Sequence, residues 1–147
     1  MKIQVVPMEQ KHTPALAALE KKCFSEPWSQ ASLEEELDNP IAVFLVALGD
    51  GKEILGYAGM HDIVGEGYIS NIAVFPEFRR MGVGKALVEA LLSYGAQRRL
   101  EMITLEVRCS NDAAIGLYEQ YDFCVEGIRK RFYRNPDEDG YIMTHRF

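Results

Sequence analysis

Hydrophobic residues recur with two different periods along this chain. In the first half, short apolar runs between turn residues predict strands, whereas Ala15, Leu16, Leu19 and Cys23 fall on one face of a helix. The glycine-containing segments 49–52 and 65–67 are typical of turns between strands. This half therefore predicts a strand over 3–6, helices over 13–23 and 29–38, and strands over 41–48, 53–60 and 68–75.

The second half of the chain alternates strand and helix patterns. Leu87, Ala90, Leu91 and Tyr94 form the stripe expected of a helix over 84–98. Because antiparallel hairpins lead into this strand–helix–strand section, we expect an α/β (α+β) architecture, a mixed and mostly antiparallel central sheet flanked by helices. No repeat or linker interrupts 1–147, which predicts a single domain. The remaining predicted elements are a strand over 102–107, a helix over 112–120, and strands over 123–128 and 141–145.

Composition narrows the function classes. The 147 residues are 48% hydrophobic and 26% charged, as in globular proteins, which argues against disordered and fibrous classes. No apolar run is long enough for a membrane span, and the first residues do not resemble a signal peptide, so we expect a cytoplasmic protein without a membrane partner. A net charge of −6 disfavours direct nucleic-acid binding. The three cysteines and three histidines are scattered and predict neither a disulfide framework nor a metal site.

A glycine-rich segment, 79–86 (RRMGVGKA), lies between a predicted strand and a predicted helix. Glycines allow the backbone to approach a ligand closely, and the free N–H groups at a helix start favour a phosphate group. A P-loop would need glycine in place of Arg79 and serine or threonine in place of Ala86. A dinucleotide fingerprint would need a small residue in place of Leu87. Both nucleotide templates are therefore disfavoured, and a turn without a ligand is the remaining alternative to another phosphate-binding loop.

Several segments together resemble one family. An arginine followed by Gly82 and Gly84 fits R/Q-x-x-G-x-G/A, the loop with which GNAT acetyltransferases hold the pyrophosphate of acetyl-coenzyme A (acetyl-CoA). Residues 105–119 resemble the LEVR-x-SN-x-x-A-x-x-LYE signature of RimI-type enzymes, the bacterial ribosomal-protein-alanine N-acetyltransferases. Further segments similar to these enzymes are 24–29, 68–76 and 128–133, so the resemblance covers nearly the whole chain.

The resemblance implies a GNAT fold with splayed central strands and acetyl-CoA as cosubstrate, without a metal. It assigns Glu106 as a general base acting through water and Tyr118 as the general acid that returns a proton to the coenzyme A thiolate. Asn111 is expected to contact the coenzyme, and Phe132 and Tyr133 are expected to line the peptide entry. The other coenzyme-binding residues that it implies are Ile72, Ala73, Val74, Arg80, Met81, Gly82, Val83, Gly84 and Lys85.

The residue patterns agree with these roles and leave alternatives open. Alternation along the predicted strand 102–107 turns Glu106 away from the apolar face, and a polar second face on an interior strand suggests a cavity. Glu106 could instead belong to a structural ion pair with Arg108 or another arginine. Tyr118 could be a core aromatic residue, and Asn111 could serve as a helix N-cap, a role compatible with coenzyme contact.

We therefore expect direct acetyl transfer to the N-terminal α-amino group of a protein, by resemblance the N-terminal alanine of a small-subunit ribosomal protein. An α-amine with a pKa of about 7.8 is roughly one-tenth neutral at pH 7, whereas a lysine near 10.4 is almost wholly charged. Lysine side chains, small amines, or a coenzyme A sensor without catalysis are the alternatives. Two departures from the family pattern put the acceptor in doubt: Phe132 replaces a tyrosine, and Asp122 replaces a glycine suited to a left-handed helix end.

Overall fold

Seven strands form one mixed sheet, and four α-helices pack on its two faces. The computed structural model describes all residues 1–147. The strands are β1 (Gln4–Pro7), β2 (Ala42–Leu48), β3 (Ile54–Ile63), β4 (Glu66–Val74), β5 (Met102–Arg108), β6 (Cys124–Tyr133) and β7 (Glu138–Arg146). The helices are α1 (Thr13–Cys23), α2 (Gln30–Glu36), α3 (Val83–Gln97) and α4 (Asp112–Gln120). Neighbouring strands follow the order β1-β2-β3-β4-β5-β7-β6, and only β4 and β5 are parallel neighbours. The expected mixed, mostly antiparallel sheet is confirmed.

The sheet separates two hydrophobic cores. On one face, Leu87 and Leu91 of α3 pack with the β5 side chains of Ile103 and Leu105. On the other face, α1 and α2 pack on β2 and β3, and the buried members include Leu16, Leu19, Leu33, Phe44 and Tyr57. Burial of each large side chain contributes about 1.5–3 kcal/mol. The helical stripes in the sequence therefore identify the faces that cover the sheet.

The two central strands separate after a short stretch of pairing. β4 pairs with β5 only from Glu66 opposite Met102 to Ile69 opposite Leu105. Beyond that point β4 stays paired with β3 as far as Val74, and β5 stays paired with β7 as far as Arg108. The expected splay of the central strands is therefore confirmed, and a gap opens between their carboxyl ends.

Several strand boundaries differ from the sequence prediction. β3 runs on to Ile63, and its turn to β4 lies at Val64 and Gly65 rather than over 65–67; both turn residues have positive φ, the conformation of a tight hairpin. β6 extends to Tyr133 rather than 128, and β7 begins at Glu138 rather than 141. β6 is an edge strand with one neighbour and largely exposed side chains, so it carries no hydrophobic alternation to mark its length.

The N-cap of α2 is Ser29, whose hydroxyl accepts a hydrogen bond from the Ser32 N–H at 3.1 Å. No helix in the chain combines the length and the apolar character needed to cross a membrane.

Candidate active site

The gap between β4 and β5 opens into a cavity of about 620 Å³. Its inner walls are the diverging ends of the two strands together with α4. The rest of the lining comes from Glu20 and Cys23 of α1 and from what we call the outer wall: residues of 24–28, between α1 and α2, and residues 132–136, at the end of β6 and in its turn to β7. The Ser25 hydroxyl donates to the Arg134 carbonyl at 3.0 Å and joins the two halves of this wall. Because β4 and β5 have separated here, side chains from both faces of the sheet line the same cavity.

A bulge in β4 shapes the cavity floor. Gly59 of β3 lies opposite Asn71, but the next residue of β3 lies opposite Ile69, so Ser70 is the extra residue. Consequently Ile69 and Ile72, three residues apart, both pack on the α3 side of the sheet. Regular alternation would have placed them on opposite faces.

After the bulge, main-chain groups that pair with no neighbouring strand point towards the gap. The Phe75 N–H donates to the Leu55 carbonyl of β3 at 2.9 Å. Because peptide groups alternate in direction along a strand, those of Ile72 and Val74 point away from β3. Ala73 has the opposite orientation, and its side chain is buried in the α1 core. Of these three predicted coenzyme-binding residues, Ile72 lines the cavity.

The loop before α3 presents a run of free backbone donors. The six consecutive N–H groups from Arg80 to Lys85 hydrogen-bond to no protein acceptor, and the next, that of Ala86, donates to the Gly82 carbonyl at 3.0 Å. Arg80 and Gly82 have positive φ values of 63° and 85°, and a Cβ added to Gly82 would point into open space. Such an exposed nest of donors at the positive end of a 15-residue helix fits an anionic phosphate group.

The charged side chains of this loop differ in how free they are to contact a ligand. Arg79 is exposed but already contacts the protein: its Nε donates to the Val74 carbonyl at 3.4 Å, and its Nη2 lies 3.5 Å from the Cys23 Sγ. Arg80 and Lys85 form no ion pair. Val83 is a core residue, whereas Met81 is exposed, so these two would contribute through their main chain. Gly84 packs on α4, where an added Cβ would approach the Leu117 Cδ2 at 3.1 Å.

Glu106 lies in the cavity wall with only 4% of its side chain exposed. The Tyr68 hydroxyl of β4 donates to its Oε1, and the Arg129 Nε lies 3.7 Å from its Oε2. Arg108 does not pair with Glu106 but forms an ion pair with Glu138 at 3.2 Å. Because the Arg129 side chain is 56% exposed, water screens its attraction for Glu106. The ion-pair alternative is thus realised only weakly and through a different arginine.

Tyr118 reaches the same cavity from α4. Its ring packs on Phe123 with 5.8 Å between centroids, and no side chain hydrogen-bonds to its hydroxyl. Burial raises the pKa of the Tyr118 phenol above its ordinary value of 10. The Tyr118 ring packs as the core-aromatic alternative expected, whereas its hydroxyl stays protonated and borders the cavity.

The other predicted residues also border the cavity. Asn111 caps α4 by accepting the Ala114 N–H at 3.2 Å and lines the cavity as well. Phe132 and Tyr133 belong to the outer wall, and their rings form an edge-to-face pair at 5.0 Å. Burial raises the pKa of Tyr133 to about 12.

Sequence reasoning missed three side chains at this site. Tyr68 and Arg129 contact Glu106 from strands whose register the sequence does not reveal. Glu20 of α1 lines the cavity next to β4 and is almost wholly buried. A usable signal existed only for Glu20, since it follows Leu16 by four residues on the apolar face of α1.

Comparison with known proteins places the chain in a family. Residues 13–123 match the family model described as "Acetyltransferase (GNAT) family". The chain therefore belongs to the GNAT acetyltransferases, which confirms the class inferred from the glycine loop and the signature segment.

Curated relatives have more specific names. Over 93% of both chains, the sequence is 33% identical to "[Ribosomal protein bS18]-alanine N-acetyltransferase" of Escherichia coli. It is 36% identical to the "Putative [ribosomal protein bS18]-alanine N-acetyltransferase" of Bacillus subtilis, over 85% of this chain and 83% of the relative. The crystal structure of the ribosomal-protein-S18-alanine N-acetyltransferase from E. coli superposes with a TM-score of 0.89 at 30% identity, covering 99% of this chain and 94% of that one.

Proposed function

We propose that this protein transfers the acetyl group of acetyl-CoA to the N-terminal amine of a protein, with the N-terminal alanine of a bS18-type ribosomal protein as the acceptor. The relatives named for this reaction share the length and most of the fold of the chain. The observation that carries the proposal is the placement of Glu106 and Tyr118 on one cavity, beside the gap of the sheet. A ribosomal-protein acceptor would place the enzyme in the cytoplasm.

The coenzyme would extend from the loop before α3 into the cavity. The free N–H groups of 80–85, with Arg80 and Lys85, would hold the pyrophosphate. The main-chain groups of Ile72 and Val74 would pair with the pantetheine amides as an added strand would. Asn111 would contact the coenzyme from the start of α4. When bound, acetyl-CoA supplies a thioester whose carbonyl carbon accepts the amine.

Proton transfers by two side chains complete the reaction. Through a water molecule, Glu106 takes a proton from the acceptor nitrogen as the C–N bond forms. The Tyr118 hydroxyl gives its proton to the sulfur as the C–S bond breaks. Glu106 then releases a proton to solvent, and Tyr118 regains one. The Tyr68 hydroxyl holds Glu106 in place, since it donates to the carboxylate from the facing strand.

The acceptor would enter along the outer wall. The coenzyme-binding elements occupy the α3 and α4 side, whereas Glu106 faces the α1 side with Phe132 and Tyr133 beside it. An N-terminal amine suits a single buried carboxylate acting as base, because about one-tenth of it is already neutral at pH 7. A lysine acceptor would first have to lose a proton held near pKa 10.4.

Mass spectrometry with a peptide mixture tests this function. The purified protein would be incubated with acetyl-CoA and peptides that begin with alanine, serine or methionine, each containing one internal lysine. We expect acetylation at the terminal amine of the alanine peptides, and far less with Glu106→Gln at the same protein concentration and reaction time. Acetylation on lysine would favour the side-chain alternative, and coenzyme binding without any product would favour a sensor.

A further inference from the structure

One buried carboxylate of the cavity has no part in the proposed chemistry. Glu20 lies on the apolar face of α1 and is only 1% exposed. Burial of a carboxylate costs several kcal/mol unless its oxygens are hydrogen-bonded, so such a group persists where partners hold it. Glu20 has no cationic partner within ion-pair distance. Its role must therefore be sought in the neutral donors around it.

Three donors from three separate segments converge on Glu20. The Tyr57 hydroxyl of β3 donates at 2.7 Å and the Asn71 Nδ2 of β4 at 3.3 Å, both to Oε2. The Trp28 backbone N–H donates to Oε1 at 2.9 Å. The two oxygens therefore face different structures: one is fixed to the sheet, and the other holds the segment between α1 and α2.

Each of these contacts leads to a part of the cavity. Trp28 belongs to the outer wall, whose far half is joined through Ser25 to Arg134. Asn71 follows the β4 bulge directly and precedes Ile72, the first residue proposed to pair with the coenzyme. Glu20 thus connects the outer wall with the strand that would carry the thioester.

We propose that Glu20 is a positioning residue for the acceptor: it fixes the outer wall at a set distance from the coenzyme strand, so that the incoming amine meets the thioester beside Glu106. This proposal rests on the proposed function, because it takes the outer wall to be the acceptor side. It makes a specific demand, namely that loss of the carboxylate impairs acceptor binding and leaves coenzyme binding intact.

The Glu20→Gln variant tests this demand, because its amide has only one acceptor oxygen for three donors. We expect the KM for an alanine-terminated peptide to rise about tenfold, the scale of one hydrogen bond to a charged group. The dissociation constant for acetyl-CoA should change less than twofold. Trp28 is the only tryptophan of the chain, so its emission and its quenching by acrylamide report directly on the outer wall. Quenching should increase in the variant.

Glu36→Gln is the matched control. Glu36 is also a largely buried carboxylate, pairing with His61 at 2.9 Å, but it lies outside the cavity. It should alter neither the peptide KM nor the Trp28 quenching. An unchanged peptide KM in Glu20→Gln, or an equal loss of affinity for both substrates, would overturn the positioning role.

A second variant keeps the test decisive if Glu20→Gln does not fold. Tyr57→Phe removes one donor from the sheet side and leaves the Trp28 contact in place; a peptide KM raised about threefold would support the role, and an unchanged one would refute it. Failure of the proposed function looks different, since the wild-type protein would then acetylate no N-terminal peptide. The Trp28 quenching would still show whether Glu20 anchors the wall.

Discussion

The proposed coenzyme loop and the outer wall of the cavity are built on different principles. In the loop, residues 80–85 offer backbone N–H groups that are contiguous in sequence and need glycine geometry rather than particular side chains. At the outer wall, side chains from distant segments hold the structure together: Glu20 binds Trp28, Ser25 binds Arg134, and Arg108 binds the Arg134 and Pro136 carbonyls, each at 2.9 Å.

This contrast indicates which kinds of substitution should impair each region. A backbone site tolerates changes of side chain but not of conformation, because its donors are set by φ and ψ. A wall held by side-chain hydrogen bonds fails when one partner is removed, since the other is left buried without a partner. The acetyl transfer itself would depend on Glu106 and Tyr118, which line the cavity. The largest effects are therefore expected from substitutions of these two residues and of the coenzyme loop.

Removal of the proposed base should have the largest effect. In Glu106→Gln we expect kcat to fall by about 10²–10⁴, the range for general base catalysis. Acetyl-CoA affinity should stay within about twofold, because the coenzyme loop is not altered. Steady-state kinetics and calorimetric titration of the coenzyme measure the two quantities. Glu126→Gln, at an exposed carboxylate paired with Arg146, is the control and should change neither kcat nor acetyl-CoA affinity. A normal kcat in Glu106→Gln would remove the residue from the chemistry.

The second-largest effect is expected from backbone strain in the coenzyme loop. Gly82→Val places a β-branched residue at a φ of 85°, and we expect coenzyme affinity to fall roughly tenfold or more as the loop rearranges. Gly65→Val is a matched control, because Gly65 has a φ of 82° and equally open surroundings in a turn away from the loop. Both variants should lose stability, and only Gly82→Val should lose affinity in titrations. Equal coenzyme affinities would contradict the loop assignment.

The proposed acid should show itself through pH. Because burial raises the pKa of Tyr118, its proton stays in place as the pH rises through the ordinary tyrosine value near 10. We expect no alkaline decline of kcat from this group between about pH 8 and 10. In Tyr118→Phe we expect a roughly tenfold lower kcat, less than is usual for a general acid, because a thiolate leaves readily. Tyr121→Phe, one turn further on and bonded to Glu89, is the control. A decline of kcat near pH 10 that disappears in Tyr118→Phe would show that burial does not raise the pKa of this phenol.

The smallest effect should lie outside the cavity. Asp122 occupies the left-handed position after α4 with a φ of 63°, the conformation expected where the family pattern has glycine. Asp122→Gly should raise the free energy of unfolding by about 0.5–1 kcal/mol, because glycine adopts this conformation without strain. Denaturant titration measures the change, and both substrate KM values should be unaltered. Lower stability in the variant would show that the aspartate is not strained.

Local patterns predicted much of the fold and the chemistry. The apolar stripe of α3 and the alternation in β5 identified buried faces correctly, because these periods are properties of a single element. The glycine loop was recognisable for the same reason, since its conformation is set by neighbouring residues. The strand ends at Tyr133 and Glu138 were predicted poorly, because an exposed edge strand has no buried face to produce a pattern.

Local shapes follow directly from the order of the residues: amphipathic helices, a nest of donors, and a strand that turns Glu106 away from the apolar core. Which distant groups meet around that carboxylate follows from the packing of the whole chain. Tyr68 and Arg129, rather than Arg108, contact Glu106, and Glu20 gathers donors from β3, β4 and the outer wall. The physical reason is the short range of a hydrogen bond, which depends on strand register and on the β4 bulge, and a shift of one residue in either would break these contacts.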